Sequence, residues 1–317
     1  VITTPLTWIA TAAAAATLGA DIDFVDVEPD TWNINPQLIE AKITPQTRAI
    51  VPVHLYGQPC DMDAIVEVAE KHGLAVVEDA CHAVGASWRG RKTGSLGTVG
   101  CFSFHEQKNM STLGEGGMIT TNDPDLFERI ALYRSHCTRV YGKSTKYCSL
   151  DETILPMGKR FWWQDFDDVG YNFRMTDIQA AVGLTQLRKL DSMNRRRIEI
   201  AARYTEGLSG IPGLRLPQVR PDRTHVFHLY PVVLEPEKHG VTKEDFVYRM
   251  LHEYGIRVGT HYIPLTWSTA FRKRGYAPGQ FPVADTAGER LVTLPIHPRL
   301  TEEAIDYLIS SVHELLG

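Results

Sequence analysis

The sequence predicts an α/β protein with a mostly parallel central sheet flanked by helices, followed by a small C-terminal α+β domain. Three observations carry that expectation. Short, uninterrupted apolar runs, Leu74-Ala75-Val76-Val77 and Val99 to Phe104, have the pattern of strands buried on both faces. Helical segments alternate with such strands through the first half, the βαβα rhythm of a parallel sheet. A Gly- and Pro-containing linker, Gly210 to Pro217, then divides residues 1–208, a large domain, from residues 209–317.

In chain order, residues Val1 to Ala20 carry no charge and include an alanine run. They lack a Met or a basic leading region, and Pro5 and several threonines lower helicity and hydrophobicity, so neither a signal peptide nor a membrane span is expected. The absence of Met points to a start within a longer chain. Asp21 to Val27 is strand-like, Pro36 to Ile43 helical and Arg48 to Leu55 a strand. Met62 to His72 is a helix capped by Asp61 and stopped by Gly73. Leu74 to Glu78, Val99 to Phe104 and Gly116 to Thr121 continue the strands, and a helix follows from Asp125 to His136. Cys137 to Asp168 breaks the rhythm with Tyr, Lys, Gly, Pro156 and the cluster Phe161-Trp162-Trp163. A long irregular segment in an enzyme is either a substrate or subunit contact or a surface excursion pinned by its aromatics. From Met175 a long helix capped by Thr176 or Asp177 runs to about Leu208, with room for one break. The last part contains strand His225 to Leu234, helix Lys243 to Tyr254, strand Arg257 to Thr260 and helix Glu302 to Leu316.

At 317 residues and 43% apolar content the chain is long enough for a substantial core. Its net charge of −5, without long runs, leaves no footprint for nucleic acid, and Arg195-Arg196-Arg197 is expected on a solvated helix face. The five cysteines form no C-x-x-C pair, which argues against a zinc knuckle or disulfide framework and for a reducing, cytoplasmic setting. No metal site is expected: His105-Glu106 lacks a second His at zinc-protease spacing. The glycines at 114, 116 and 117 do not make a dinucleotide fingerprint, and neither a P-loop nor a G-x-S-x-G elbow occurs.

The chemistry gathers between Glu78 and Asn109. The Leu74 run ends in Glu78 and Asp79, placing two carboxylates at a strand's carboxyl end, where open α/β sheets bind ligands. Lys108 stands just past the second buried strand. Desolvation lowers a lysine's pKa and frees its amine for Schiff-base chemistry. A pyridoxal phosphate (PLP) site needs such a lysine, an acid for the pyridinium nitrogen and donors for the phosphate, and all three residue types are present. Plainer roles stand beside each: a solvated lysine, a turn-capping Asp79, an ordinary buried His82.

Val77-Glu78-Asp79-Ala80-Cys81-His82-Ala83-Val84-Gly85-Ala86, Gly94-Ser95-Leu96-Gly97, Phe102-Ser103-Phe104-His105-Glu106-Gln107-Lys108-Asn109 and Gly114-Glu115-Gly116-Gly117 together resemble the DegT/DnrJ/StrS family of PLP-dependent sugar aminotransferases, of the aspartate aminotransferase fold type I. The likeness extends from Thr7-Trp8 through Val53-His54-Leu55-Tyr56-Gly57 and Gly170-Tyr171-Asn172-Phe173-Arg174-Met175 to His261-Tyr262-Ile263-Pro264 and Leu294-Pro295, nearly the whole chain. The resemblance implies that Lys108 holds the cofactor and shuttles the proton, that Asp79 pairs with the pyridine nitrogen and that His82 contacts the phenolic oxygen. It implies Ser103 as a phosphate ligand and Trp8 as the aromatic stacked on the ring, with core packing the alternative for Trp8. Asn172 resembles the residue that reaches a partner subunit's cofactor phosphate, which implies a homodimer with shared sites. Arg174 would lie in the anionic substrate pocket or form a structural ion pair, and His261 and Tyr262 belong to the substrate side. Family members carry a leading Ser/Gly-Thr-rich phosphate-binding turn with no counterpart here, and Thr266-Trp267 stands where many relatives have a His after His-Tyr-x-Pro-Leu.

The implied reaction moves an amino group from L-glutamate to a nucleotide-linked keto sugar. Its rivals are the family's dehydratase branch, opposed by Lys108 where that branch has His, a transaminase acting on a cyclitol or aminobenzoate precursor, and a non-catalytic regulatory relative.

Overall fold

The computed structural model describes residues 1–138 and 166–317. Most of the irregular segment, including Phe161-Trp162-Trp163, lies outside the described residues.

Among these residues six strands form the main sheet. The strands of the first half are β1 (Ile2–Thr3), β2 (Asp23–Phe24), β3 (Ala49–Ile50), β4 (Ala75–Asp79), β5 (Ser87–Trp88), β6 (Arg91–Lys92), β7 (Val99–Ser103) and β8 (Gly117–Thr120). The sheet runs β2-β1-β3-β4-β7-β8, with every pairing parallel except β8 against β7. β4 is therefore flanked on both sides, and its end is fixed by the pairing of Asp79 with Cys101. The two short apolar runs become the central strands β4 and β7, as their composition requires. β8, at the edge, leaves Met118 and Ile119 exposed.

Helices α1 (Ala10–Ala16), α2 (Met62–Lys71), α3 (Pro124–Arg134) and α4 (Asp177–Gly207) accompany the sheet. In α2 the Asp61 side chain accepts the Ala64 N–H, and Met62, Ile65 and Ala69 share the face that packs on Ile2, Ile50 and Val76. α4 begins with a capping box in which Thr176 and Gln179 satisfy each other's backbone N–H groups, and it continues without a break. The expected helix over Pro36 to Ile43 is instead two 3₁₀ turns, Pro36–Leu38 and Glu40–Lys42, because Asn35 caps a turn that Ile39 closes early.

The second half contributes β9 (Leu214–Arg215), β10 (Arg223–Thr224), β11 (Tyr230–Leu234) and β12 (Leu291–Leu294), with helices α5 (Pro236–His239), α6 (Lys243–His252), α7 (Thr269–Arg272), α8 (Pro282–Arg290) and α9 (Glu302–Leu316). β12-β11-β9 form an antiparallel sheet, while β10 pairs back to the β5-β6 hairpin. The strand expected from His225 begins only at Tyr230. His225 Nδ1 accepts the Phe227 N–H at 2.9 Å and Phe227 has φ +43°, so the chain turns before it extends. Arg257 to Thr260 contributes a bridge from Gly259 to Thr293 rather than a strand.

The core of the second half takes in Ile200, Ala201, Tyr204 and Leu208 from the last turns of α4, packed with β11, β12, α6 and α9. Earlier on the same helix Asn194 reaches the first half. A second core mixes Leu6, Phe24, Val53 and Tyr56 with Val233, Leu265, Phe271 and Leu291. The segment at 261–265 is thereby pressed against the carboxyl ends of the parallel strands.

Candidate active site

Successive strand residues face opposite ways, so Glu78 and Asp79 leave β4 on different sides. Glu78 is fully buried. Its Oε1 accepts the N–H groups of Leu96 and Gly97, each at 2.7 Å, and its Oε2 accepts from the Gly94 N–H at 2.8 Å and His54 Nε2 at 3.0 Å. His54 Nδ1 takes the Cys60 N–H, which leaves Nε2 to donate. The 94–97 loop reaches Glu78 because of its glycines: Gly94 has φ +83°, and a Cβ on Gly97 would meet the Val76 carbonyl oxygen at 2.7 Å. Burial alone would raise the Glu78 pKa, but the His54 bond and the backbone donors outweigh it and hold it below the usual value. This carboxylate is wholly occupied by structure.

Asp79 is only half-buried. Oδ2 accepts Thr11 Oγ1 at 2.7 Å and Oδ1 accepts the Cys81 N–H at 3.1 Å, which uses two of about four lone-pair directions. The remainder can meet a cationic N–H. Lys108 sits in the turn after β7, its N–H bonded to the His105 carbonyl at 2.9 Å. Burial lowers its pKa, with the opposing influence of Cys81 and Asp79 too weak to restore it. Ser103 ends β7 and its hydroxyl accepts the His105 N–H at 3.3 Å.

His82 lies buried beside this pair. Its Nδ1 accepts the Tyr56 N–H at 3.3 Å, so Nε2 carries the proton and donates to the Tyr262 hydroxyl oxygen at 3.1 Å. Burial first, then the positive charge of Lys108, pushes the His82 pKa well down, and the ring stays neutral. The Tyr262 hydrogen is left free to donate elsewhere, while burial and Asp79 push the phenol's pKa up. His261 is held by Thr293 Oγ1 at 2.7 Å and its carbonyl accepts the Tyr56 hydroxyl at 2.6 Å. Trp8 is 62% exposed, its ring centroid 6.3 Å from that of Tyr262, and so presents an open aromatic face.

The structure thus brings Asp79, Lys108, His82, His261, Tyr262 and Trp8 into one neighbourhood at the carboxyl ends of β4 and β7. Asn172 and Arg174 are exposed elsewhere: Asn172 bridges to Ser135 at the end of α3, and Arg174 donates to Ser135 Oγ at 2.8 Å.

Several contributors escaped the sequence reading. Thr11 and, behind it, Thr7 at 3.0 Å hold Asp79. His228 stacks on His82 with centroids 4.3 Å apart and bonds Asn109 Oδ1 through Nδ1 at 3.3 Å. Asn109 in turn donates to Asn194 at 3.0 Å and the Val226 carbonyl at 3.2 Å, so the residue after Lys108 is locked by α4. The Thr7/Thr11 spacing of four, which can bring hydroxyls to one side of a turn, was the available signal for the first pair. The Asn109 to His228 contact, 119 residues apart, had none.

The donor chemistry fits PLP: an amine of lowered pKa for its aldehyde, a carboxylate with free lone pairs for its ring nitrogen, an open indole face for its ring and a strand-end hydroxyl for its phosphate. Among the described residues no group of His, Cys, Asp and Glu is arranged to hold a metal, and no helix is long and apolar enough to cross a membrane.

Fold and donor set together define a PLP-dependent transferase of fold type I. The sequence model of the DegT/DnrJ/EryC1/StrS aminotransferase family matches residues 1–313, and the chain belongs to that family of PLP-dependent sugar aminotransferases. It is 40% identical to the spore coat polysaccharide biosynthesis protein SpsC of Bacillus subtilis, covering 100% of this chain and 79% of that protein. It superposes on DesV of S. venezuelae with a TM-score of 0.85 at 37% identity, covering 99% of this chain and 77% of that one. The PLP form of Spr1654 from Streptococcus pneumoniae gives a TM-score of 0.86 at 28% identity, over 99% and 80% of the two chains.

Proposed function

We propose that this aminotransferase takes its amino group from L-glutamate and delivers it to a nucleotide-linked keto sugar, in the cytoplasm and as a homodimer with shared sites. The observation that carries the reading is the junction at the ends of β4 and β7, where Lys108, Asp79 and the His82–Tyr262 pair converge. Bound PLP supplies the carbonyl that carries the amino group and the electron sink for proton removal at Cα.

The chain's residues do the rest. Lys108, its pKa lowered by burial, presents Nζ as nucleophile and then holds and returns the substrate proton. Asp79 would hold the protonated ring nitrogen through its free lone pairs, and Trp8 would offer its open face to the ring. His82 orients the Tyr262 hydroxyl toward the reacting end, with His261 beside it on the sugar side. Ser103 anchors phosphate from within the subunit, and the exposed Asn172 does so for the partner, with Arg174 near the anionic part of the substrate. We place the domain boundary at 208/209, supported by the separate antiparallel sheet that follows it. The share of SpsC in polysaccharide biosynthesis supports a sugar acceptor.

The test is the visible spectrum of the purified protein loaded with PLP. A cofactor band that bleaches with L-glutamate, returns on adding a nucleotide-linked keto sugar and is missing in Lys108→Ala is the expected result. A protein that cannot be loaded with PLP overturns the reading.

A further inference from the structure

We infer that Thr11 is a positioning residue that ties the acid at the ring nitrogen to the aromatic plate over the ring. The inference rests on the roles of Asp79 and Trp8 given above and adds a residue that neither motif contains.

Thr11 lies in the first turn of α1 and makes three bonds that converge on the site. Its hydroxyl donates to Asp79 Oδ2 at 2.7 Å. Since a carboxylate only accepts, the Thr11 proton is committed there, and the 3.0 Å contact with Thr7 must then run from the Thr7 hydroxyl into Thr11. The chain Thr7 to Thr11 to Asp79 is polarised in one direction, each bond strengthening the next. The third bond is through the backbone: the Thr11 N–H donates to the Trp8 carbonyl at 3.3 Å. One residue therefore fixes both the turn carrying the indole and the carboxylate it faces. Thr7 is buried, and α1 comes in on small alanines with Ala12 fully buried, so the helix can approach the strand end closely.

Asp79 has a second donor, the Cys81 N–H on Oδ1, which comes from its own chain turn and cannot rotate. Thr11 supplies the hydroxyl donor to this carboxylate, beside the weaker thiol of Cys81. With both donors in place the carboxylate plane is set and its free lone pairs have one direction. Without the hydroxyl the group can turn about its last torsion and contact the ring nitrogen less well.

The experiment loads wild type, Thr11→Val, Thr11→Ser, Thr7→Val and Asp79→Asn with PLP labelled with ¹⁵N in the ring. It reads the ring-nitrogen resonance, the PLP dissociation constant and the melting temperature of the cofactor-free proteins. Thr11→Val is expected to move the resonance toward the unprotonated value and to weaken PLP binding about tenfold, the scale of one charge-assisted bond. Thr11→Ser restores both, and Thr7→Val gives a smaller change of the same sign. A wild-type resonance and affinity in Thr11→Val, with Asp79→Asn shifted, overturns the role of Thr11 alone. A resonance unmoved by Asp79→Asn overturns the Asp79 assignment and the inference with it. A melting temperature that falls in Thr11→Val while the resonance stays fixed shows a structural stitch only, and also overturns it. Should Thr11→Val not fold, Thr11→Ala is read in its place by the same criteria.

Discussion

Glu78 and Asp79 are neighbours on one strand with the same functional group, yet the two sides of β4 use them oppositely. On the Glu78 side four donors close every direction, with both partners of the His54 pair fully buried. On the Asp79 side two donors hold the group and leave it receptive. The difference teaches that a carboxylate at a strand end stays available to a ligand by being incompletely satisfied. Its neighbour, one residue away on the other face, stabilises the loop that makes the site's wall.

The contrast can be broken most forcefully at Glu78. Glu78→Gln turns an amide NH₂ against backbone N–H groups and leaves buried donors unpaired, so a loss of about 3–5 kcal/mol is expected in urea unfolding. Asp79→Asn should do the reverse: stability within about 1 kcal/mol of wild type, but turnover with L-glutamate lowered roughly 10²–10³-fold, the scale of losing one electrostatic partner of the transition state.

Acid sharpens the comparison more gradually. Burial depresses the pKa values of His82, His225 and His228, His225 to about 3, whereas the unfolded chain titrates them near 6.5. Below about pH 6.5 the unfolded state binds protons that the native state refuses, so stability falls as pH drops. Glu78 adds its own loss only below about pH 4.3, where the unfolded carboxylate protonates before the native one. Melting temperature against pH should therefore fall in two stages, and Glu78→Gln should diminish the second, to which carboxylates such as Asp222, held down by Arg223, also contribute. The smallest effect belongs to Tyr262→Phe, which deprives the His82 Nε2–H of its acceptor at a cost of about 1 kcal/mol, readable as a shift of the urea midpoint.

Much of this site was legible because its signals are local. An apolar run that stops at two acids, and a lysine just beyond a second run, place the strand ends without any long-range information. What was not legible depends on contacts far apart in the chain. Thr11 meets Asp79 across 68 residues and Tyr262 meets His82 across 180, and no short pattern encodes either. Strands of two residues, such as β1 and β9, are too short to show a period. The apparent strand over 225–229 failed for a specific reason, a histidine ring taking the N–H two residues on. α4 runs unbroken where the sequence left room for one break, and its Gly183 packs on Thr112, where a side chain would crowd.

That helix also governs what the molecule can do mechanically. It is 31 residues long, a rod of about 46 Å at helical rise. Near its middle Asn194 is bonded to Asn109, next to Lys108; one turn later Arg197 donates to the carbonyls of Phe227, His228 and Ile296, and the last turns form part of the other core. A strut pinned at three stations couples the neighbour of Lys108 to the C-terminal core. Swinging one half against the other would have to break these bonds, so a change at any of the three stations should be felt at Lys108 as well as in the distant core.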